Sequence, residues 1–146
     1  MNFEDFIKKG LVRPAKKDLP FVESLINTSE AELKFLRLLK IDEISSRTLM
    51  IRYYDMLRTI LDGIAIKNNY KVYSHEAFTY LLKKMGEEII SIKFDRFRKI
   101  RNGLVYYGKT ISSEETKEKI KEIIRLINFL KNKYLGDLKN VKTRIC

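Results

Sequence analysis

Only two prolines and six glycines interrupt the 146 residues, and this scarcity of breakers constrains the fold more than any motif does. Proline removes a backbone donor, and glycine costs a helix interior about 1 kcal/mol relative to alanine. A chain with so few of both can sustain long helices. The intervening stretches are rich in Leu, Ile, Lys and Glu, with apolar residues recurring at three- and four-residue steps. The four-to-eight-residue alternating runs of a sheet are missing. We therefore expect an all-α fold in one domain over residues 1–146: an antiparallel bundle of four main helices plus one or two short ones, joined by short loops.

Capping signals set the expected boundaries. A short helix over Asn2 to Lys9 carries Phe3, Phe6 and Ile7 on one side and stops at Gly10. A loop follows through Pro14, beside a basic cluster of Lys8, Lys9, Arg13, Lys16 and Lys17. Asp18 and Pro20 open a helix that runs to about Lys40, with a kink or restart expected near Asn27 and Thr28 because Ser29 and Glu32 have capping-box spacing. Its second half, with Leu33, Leu36 and Leu39 on one side and Phe35 and Leu38 elsewhere, is apolar on more than one face. It either lies centrally or meets a second copy of the chain.

From Ser45 or Ser46 a third helix presents Met50, Tyr53, Tyr54, Leu57, Ile60, Leu61 and Ile64 to a core, with Arg52, Asp55, Arg58 and Asp62 as a solvated opposite face. Residues Tyr70 to Tyr73 form a bridge. Ser74 is expected to cap a helix through Met85 that Gly86 ends, with a loop leading into the next helix at Phe94. A last helix runs from Ser112 or Ser113 to about Leu135 and closes at Gly136, leaving residues 137–146 as a mobile basic C-terminal tail.

The formal charge of +11 points to a polyanionic partner such as RNA, DNA or an acidic protein, or to a lysine-rich surface that only maintains solubility. The one cysteine, Cys146, excludes an intrachain disulfide, and no stretch has the continuous apolar length of a signal peptide or a membrane span. A cytoplasmic protein with no membrane association is expected. One histidine and one terminal cysteine cannot build the usual first shell of a softer metal, so neither a metal nor a cofactor is expected. Neither GxxxxGK[ST] nor GxSxG occurs. His75, the only side chain that ordinarily titrates near neutrality, falls in the first turn of a helix, where the dipole disfavours its protonation. Surface placement is the more common fate of such a residue.

The run Phe94 to Gly108, FDRFRKIRNGLVYYG, is where the pattern departs from what folding requires. At 100° per residue, Phe94, Phe97, Leu104 and Val105 share an apolar face, and Arg101 falls inside it. A guanidinium there needs a carboxylate, a set of carbonyls or a wet cleft. Asp95, Arg98, Asn102 and Tyr106 form a polar ridge along the edge of that face. Tyr106 and Tyr107 either complete the core at the helix end or offer hydroxyls and rings to a ligand.

Arg101 to Tyr106 reads RNGLVY, late in a helix of a small helical domain with one more long helix after it. This resembles the HEPN domain family, whose signature is an arginine, a polar residue that is often asparagine, three further residues and a histidine. Arg101 matches the arginine and Asn102 the polar position; Tyr106 occupies the place of the histidine. The resemblance implies a homodimer whose two motifs face each other across a shared cleft. It also implies RNA or a nucleotide phosphate as ligand, and either metal-independent ribonuclease or toxin activity or partnership with a nucleotidyltransferase or an antitoxin. In that picture Arg101, Asn102 and Tyr106 are the catalytic positions, and Arg98, Lys99, Tyr107 and Lys109 contact the ligand. Tyrosine is a poor base at neutral pH, so the substitution argues for a weak or inactive nuclease.

A helix-turn-helix-like reading for DNA competes with this one. Phe78 to Asn102 parses as helix, turn at Gly86 and a second helix bearing Arg96, Arg98, Lys99, Arg101 and Asn102. Against it, Arg101 shares the face of Phe94, Phe97 and Leu104, which require burial.

Overall fold

The computed structural model describes the backbone of residues 1–145 and the side chains of residues 1–138. It is an all-α bundle with a small two-stranded sheet: α1 (Phe3–Lys8), β1 (Val12–Pro14), α2 (Leu19–Arg37), α3 (Ser46–Lys67), β2 (Tyr70–Val72), α4 (His75–Lys84), α5 (Glu88–Tyr106) and α6 (Ser113–Ile145). The four long helices and two short ones are those expected from the periodicity. No helix among the described residues is long and apolar enough to cross a membrane.

The first helix starts with a reciprocal capping box, in which Asn2 accepts from the Asp5 amide and Asp5 accepts from the Asn2 amide. Asp18 accepts from the Phe21 amide at 3.1 Å and so caps α2, with Pro20 in its first turn. The centre of the bundle is α3. Tyr54, Leu57, Ile60, Leu61 and Ile64 are fully buried, and the helix packs most extensively against α6 and α2 and less so against β2, α5 and α4.

Several expectations are corrected. The loop through Pro14 and the bridge at Tyr70 pair as antiparallel strands, with Val12 opposite Val72 and Pro14 opposite Tyr70. Three residues per strand are too few to show an alternating pattern. The α2 helix neither restarts at Ser29 nor reaches Lys40. Ser29 is buried with its hydroxyl donating to the Ile26 carbonyl at 3.1 Å, and Glu32 pairs with Arg52 of α3 at 2.6 Å, so neither serves as a cap. Nor is the second half of α2 central: Leu33 and Leu36 are buried, but Phe35 is 59% and Leu38 82% exposed, with Leu39 and Ile44 beside them in sequence also exposed.

The charged face of α3 is only partly solvated, since Arg58 and Asp62 pair at 2.7 Å with side chains 29% and 14% exposed. Ser74 makes no side-chain capping bond to α4. The last two helices are longer than expected. α5 begins at Glu88, six residues before Phe94, so the connection from α4 is the short turn at Gly86 (φ +84°), a conformation glycine adopts without strain.

α6 continues through Ile145, and the expected end is instead a kink at Leu135 (φ −127°, ψ 17°). Buried Leu135 and Leu138 carry the core past it. The Tyr134 carbonyl at this kink accepts from Lys67 Nζ at 2.8 Å, and the same ammonium pairs with Asp137 at 3.2 Å. Residues 137–145 are thus helical backbone, not a separate tail. The basic side chains beyond Leu138, and Cys146, lie outside the described residues.

Candidate functional site

The apolar face of α5 is laid down as the periodicity requires. Phe94 and Phe97 are 0% and 1% exposed, Leu104 is buried, and Val105 is half-buried. Phe94 stacks on Tyr54 of α3, with ring centroids 5.6 Å apart and planes at 23°, and meets Phe78 of α4 edge to face. These contacts hold α5 and the first turn of α4 against α3. Between them lies an open groove of about 340 Å³ lined by Ser74, His75, Glu76, Arg98, Arg101, Asn102 and Tyr106.

Arg101 has the position its sequence register predicted, half-buried at the edge of the core. Its guanidinium lies over two tyrosine rings, 5.9 Å from the centroid of Tyr54 and 5.5 Å from that of Tyr106. Its Nη1 donates to Asn102 Oδ1 at 3.2 Å and approaches Tyr106 Oη at 3.5 Å. Its Nε is buried, and among the described residues neither a hydrogen-bond partner for Nε nor an ion-pair partner for the side chain exists. The acid of α3 that interacts electrostatically with Arg101 is Asp55. Burial raises the pKa of its carboxyl, opposed by Arg58, Arg101 and Arg52, so its field reaches Arg101 without a contact.

One turn earlier the charges cancel. Asp95 accepts from Arg98 Nε at 3.0 Å and from Arg98 Nη2 at 2.8 Å, and its other oxygen pairs with Lys99 at 3.1 Å. Burial alone would raise the Asp95 carboxyl, but the bonds from Arg98 and Lys99 and their charges together hold it below its ordinary value. Glu76 adds a longer contact to Arg98 at 3.8 Å. Arg98 therefore lines the groove as a neutralised cation.

The structure does not bring all the expected residues together. Arg98, Arg101, Asn102 and Tyr106 share the groove, but Lys99 and Lys109 line a separate hollow of about 250 Å³ with Ile100, Gly103 and Leu104. Lys109 lies across Gly103, where a Cβ would come within 3.1 Å of its Cδ. Tyr107 lines neither space. Tyr106 and Tyr107 are 65% and 74% exposed, so they do not complete the core.

His75 is the residue that sequence reasoning set aside. It stands in the groove facing the Arg101 run, although 26 residues separate it from Arg101 in the chain. Its Nδ1 is 3.1 Å from Tyr54 Oη. Burial first, and then the charges of Arg58, Arg101 and Arg98, push its pKa down to about 4, so the imidazole is neutral at pH 7. The Tyr54 hydroxyl is pushed well up by burial, against the pull of Arg101, Arg58 and Arg98, and remains protonated. No local pattern marks the pairing of Tyr54 with His75, because it arises from the packing of α4 on α3. The one available signal was that the chain has a single histidine.

Among the described residues, no group of three or more His, Cys, Asp or Glu side chains is placed to hold a metal ion. Comparison of the chain with protein-family models, curated proteins and solved structures gave no match.

Proposed function

We propose that the groove between α4 and α5 binds the phosphate of RNA, as the resemblance of Arg101 to Tyr106 to the HEPN motif suggests. The observation that carries this reading is Arg101: a guanidinium without an ion-pair partner among the described residues, in an open groove, in a chain of charge +11. An oxyanion would supply that partner. Arg101 would hold the phosphate charge, Asn102 would orient it, and the exposed rings of Tyr106 and Tyr107 would stack on or hydrogen-bond to the nucleotide. The DNA-groove reading is weaker, because Arg98 is held by Asp95 and Arg101 is half-buried against Tyr54.

The test is binding and cleavage of labelled RNA in EDTA. Arg101→Ala is expected to lower affinity by about tenfold or more, the value of a charge-assisted contact, while leaving the fold intact. Arg101-dependent cleavage in EDTA would make the protein a metal-independent endoribonuclease, and binding without cleavage would make it a binding module. Unchanged RNA binding in both Arg101→Ala and Asn102→Ala would eliminate the groove.

The chain is further proposed to form a homodimer that brings two such grooves together at their Tyr106 rims, with the exposed Tyr107 beside each. Tyr107→Glu is then expected to give a monomeric mass. A second reading, a non-catalytic interaction partner of a nucleotidyltransferase or other protein, is favoured by the exposed Phe35 of α2 and Leu38 just after it. Loss of self-association in Leu38→Glu but not in Tyr107→Glu would move the interface to that face.

A further inference from the structure

We propose that His75 is an anion-binding residue of the groove, donating its Nε2–H to the oxyanion that Arg101 holds and taking up a proton from water at Nδ1 as that oxyanion binds. The inference rests on the reading of the groove as a phosphate site and names the group that reading lacked. Its geometry comes from three elements: α4 supplies His75, α5 supplies Arg101, and α3 supplies the Tyr54 hydroxyl 3.1 Å from Nδ1. With Nδ1 engaged by Tyr54, Nε2 is the nitrogen left for a ligand. The Tyr54 hydroxyl can follow the change of state. It donates to Nδ1 of the neutral ring and, by rotating, accepts from Nδ1–H of the imidazolium, so Nδ1 stays hydrogen-bonded in both states.

The charge balance gives the direction. His75 is faced by Arg58 and Tyr54 from α3 and by Arg98, Arg101 and Tyr106 from α5, with Glu76 beside it on α4. Asp62 offsets Arg58 and Asp95 offsets Arg98 in part, so Arg101 is the guanidinium that most plainly opposes a further positive charge on the ring. A dianion bound against Arg101 reverses that field at the imidazole and favours the charged ring. Binding and proton uptake are then linked: the anion raises the proton affinity of His75, and acid raises the affinity for the anion. A phosphate monoester or sulfate, with two charges, drives this more strongly than a diester with one.

Because His75 is the only histidine in the chain, its imidazole resonances can be followed without assignment ambiguity. Sulfate is the probe, since its charge is constant across the range in which histidine titrates, with sodium chloride at matched ionic strength as control. In the free protein the ring is expected to titrate at about 4. At saturating sulfate the midpoint should move up toward the ordinary histidine value of 6.5, and in Arg101→Gln sulfate should no longer move it. The native chain should bind sulfate about tenfold more tightly at pH 5 than at pH 7.5, and His75→Gln equally at both.

An unmoved midpoint while sulfate saturates the groove overturns the proposal, as does an equal movement in sodium chloride or no binding at all. The two ideas fail separately. Arg101-dependent RNA binding with an unmoved His75 sinks only the proton linkage, whereas RNA binding indifferent to Arg101 sinks the groove itself.

Discussion

Two successive turns of α5 carry similar residues and reach opposite electrostatic ends. At Asp95, Arg98 and Lys99 one carboxylate gathers two cations, and Glu76 stands behind them. At Arg101, Asn102 and Tyr106 the guanidinium is in contact, among the described residues, with an amide and two tyrosines and no carboxylate, the field of Asp55 reaching it without an ion pair, and a neutral histidine stands on the facing helix. The first turn is a part-buried network of helical ion pairs whose charges are answered within the helix. The second leaves a charge unanswered, and that difference, more than the total of +11, is what points to a ligand.

Perturbing the floor shared by both turns should have the largest effect. Phe94 is fully buried beneath them against Tyr54 and Phe78, and Phe94→Ala is expected to cost about 3–5 kcal/mol in denaturant unfolding. A loss below about 1 kcal/mol would mean that α5 is not seated as described. Next comes Arg101→Lys, which keeps the charge but loses the planar fork. RNA affinity should fall about five- to tenfold with little change in stability; full retention would show that only net charge matters there.

The third expectation is a pH effect confined to the Arg101 turn. Well above pH 6.5, His75 is neutral in both the folded and the unfolded chain and contributes no slope. As the pH falls from 6.5 toward 4, the unfolded chain takes up a proton that the folded chain does not, so stability falls across that window and levels off below it. About 1–2 kcal/mol is expected, allowing for solvent screening of the half-buried ring. His75→Gln should remove this increment, and an identical pH profile for the variant would show that the ring titrates normally. The smallest change is Asp95→Asn, which would release Arg98 and Lys99 from their shared carboxylate. A two- to threefold gain in RNA affinity, roughly 0.5 kcal/mol, would make the first turn behave like the second.

The helical stripes were legible because each depends on residues a few positions apart. Tyr54, Leu57, Ile60, Leu61 and Ile64 had to share a face whatever they packed against, and so did Phe94, Phe97 and Leu104. Arg101 could be singled out for the same reason, as a charge inside one such face. The strands at Val12 and Tyr70 were hidden because three residues carry no period. The continuation of α6 beyond Gly136 was hidden because its support is a contact from Lys67, on another helix.

The sequence by itself thus determined the helical class, the inward faces and the anomaly at Arg101, all consequences of local stereochemistry and the 3.6-residue turn. That Asp95 can quiet Arg98 and Lys99 also follows from their three- and four-residue spacing on α5. Tertiary structure alone decided that His75 comes to the groove of Arg101 through the hydroxyl of Tyr54, a distance between side chains on different elements that no period along the chain encodes. The HEPN resemblance puts its histidine position four residues after Asn102, where this chain has Tyr106, whereas the only histidine of the chain lines the same groove from the helix opposite.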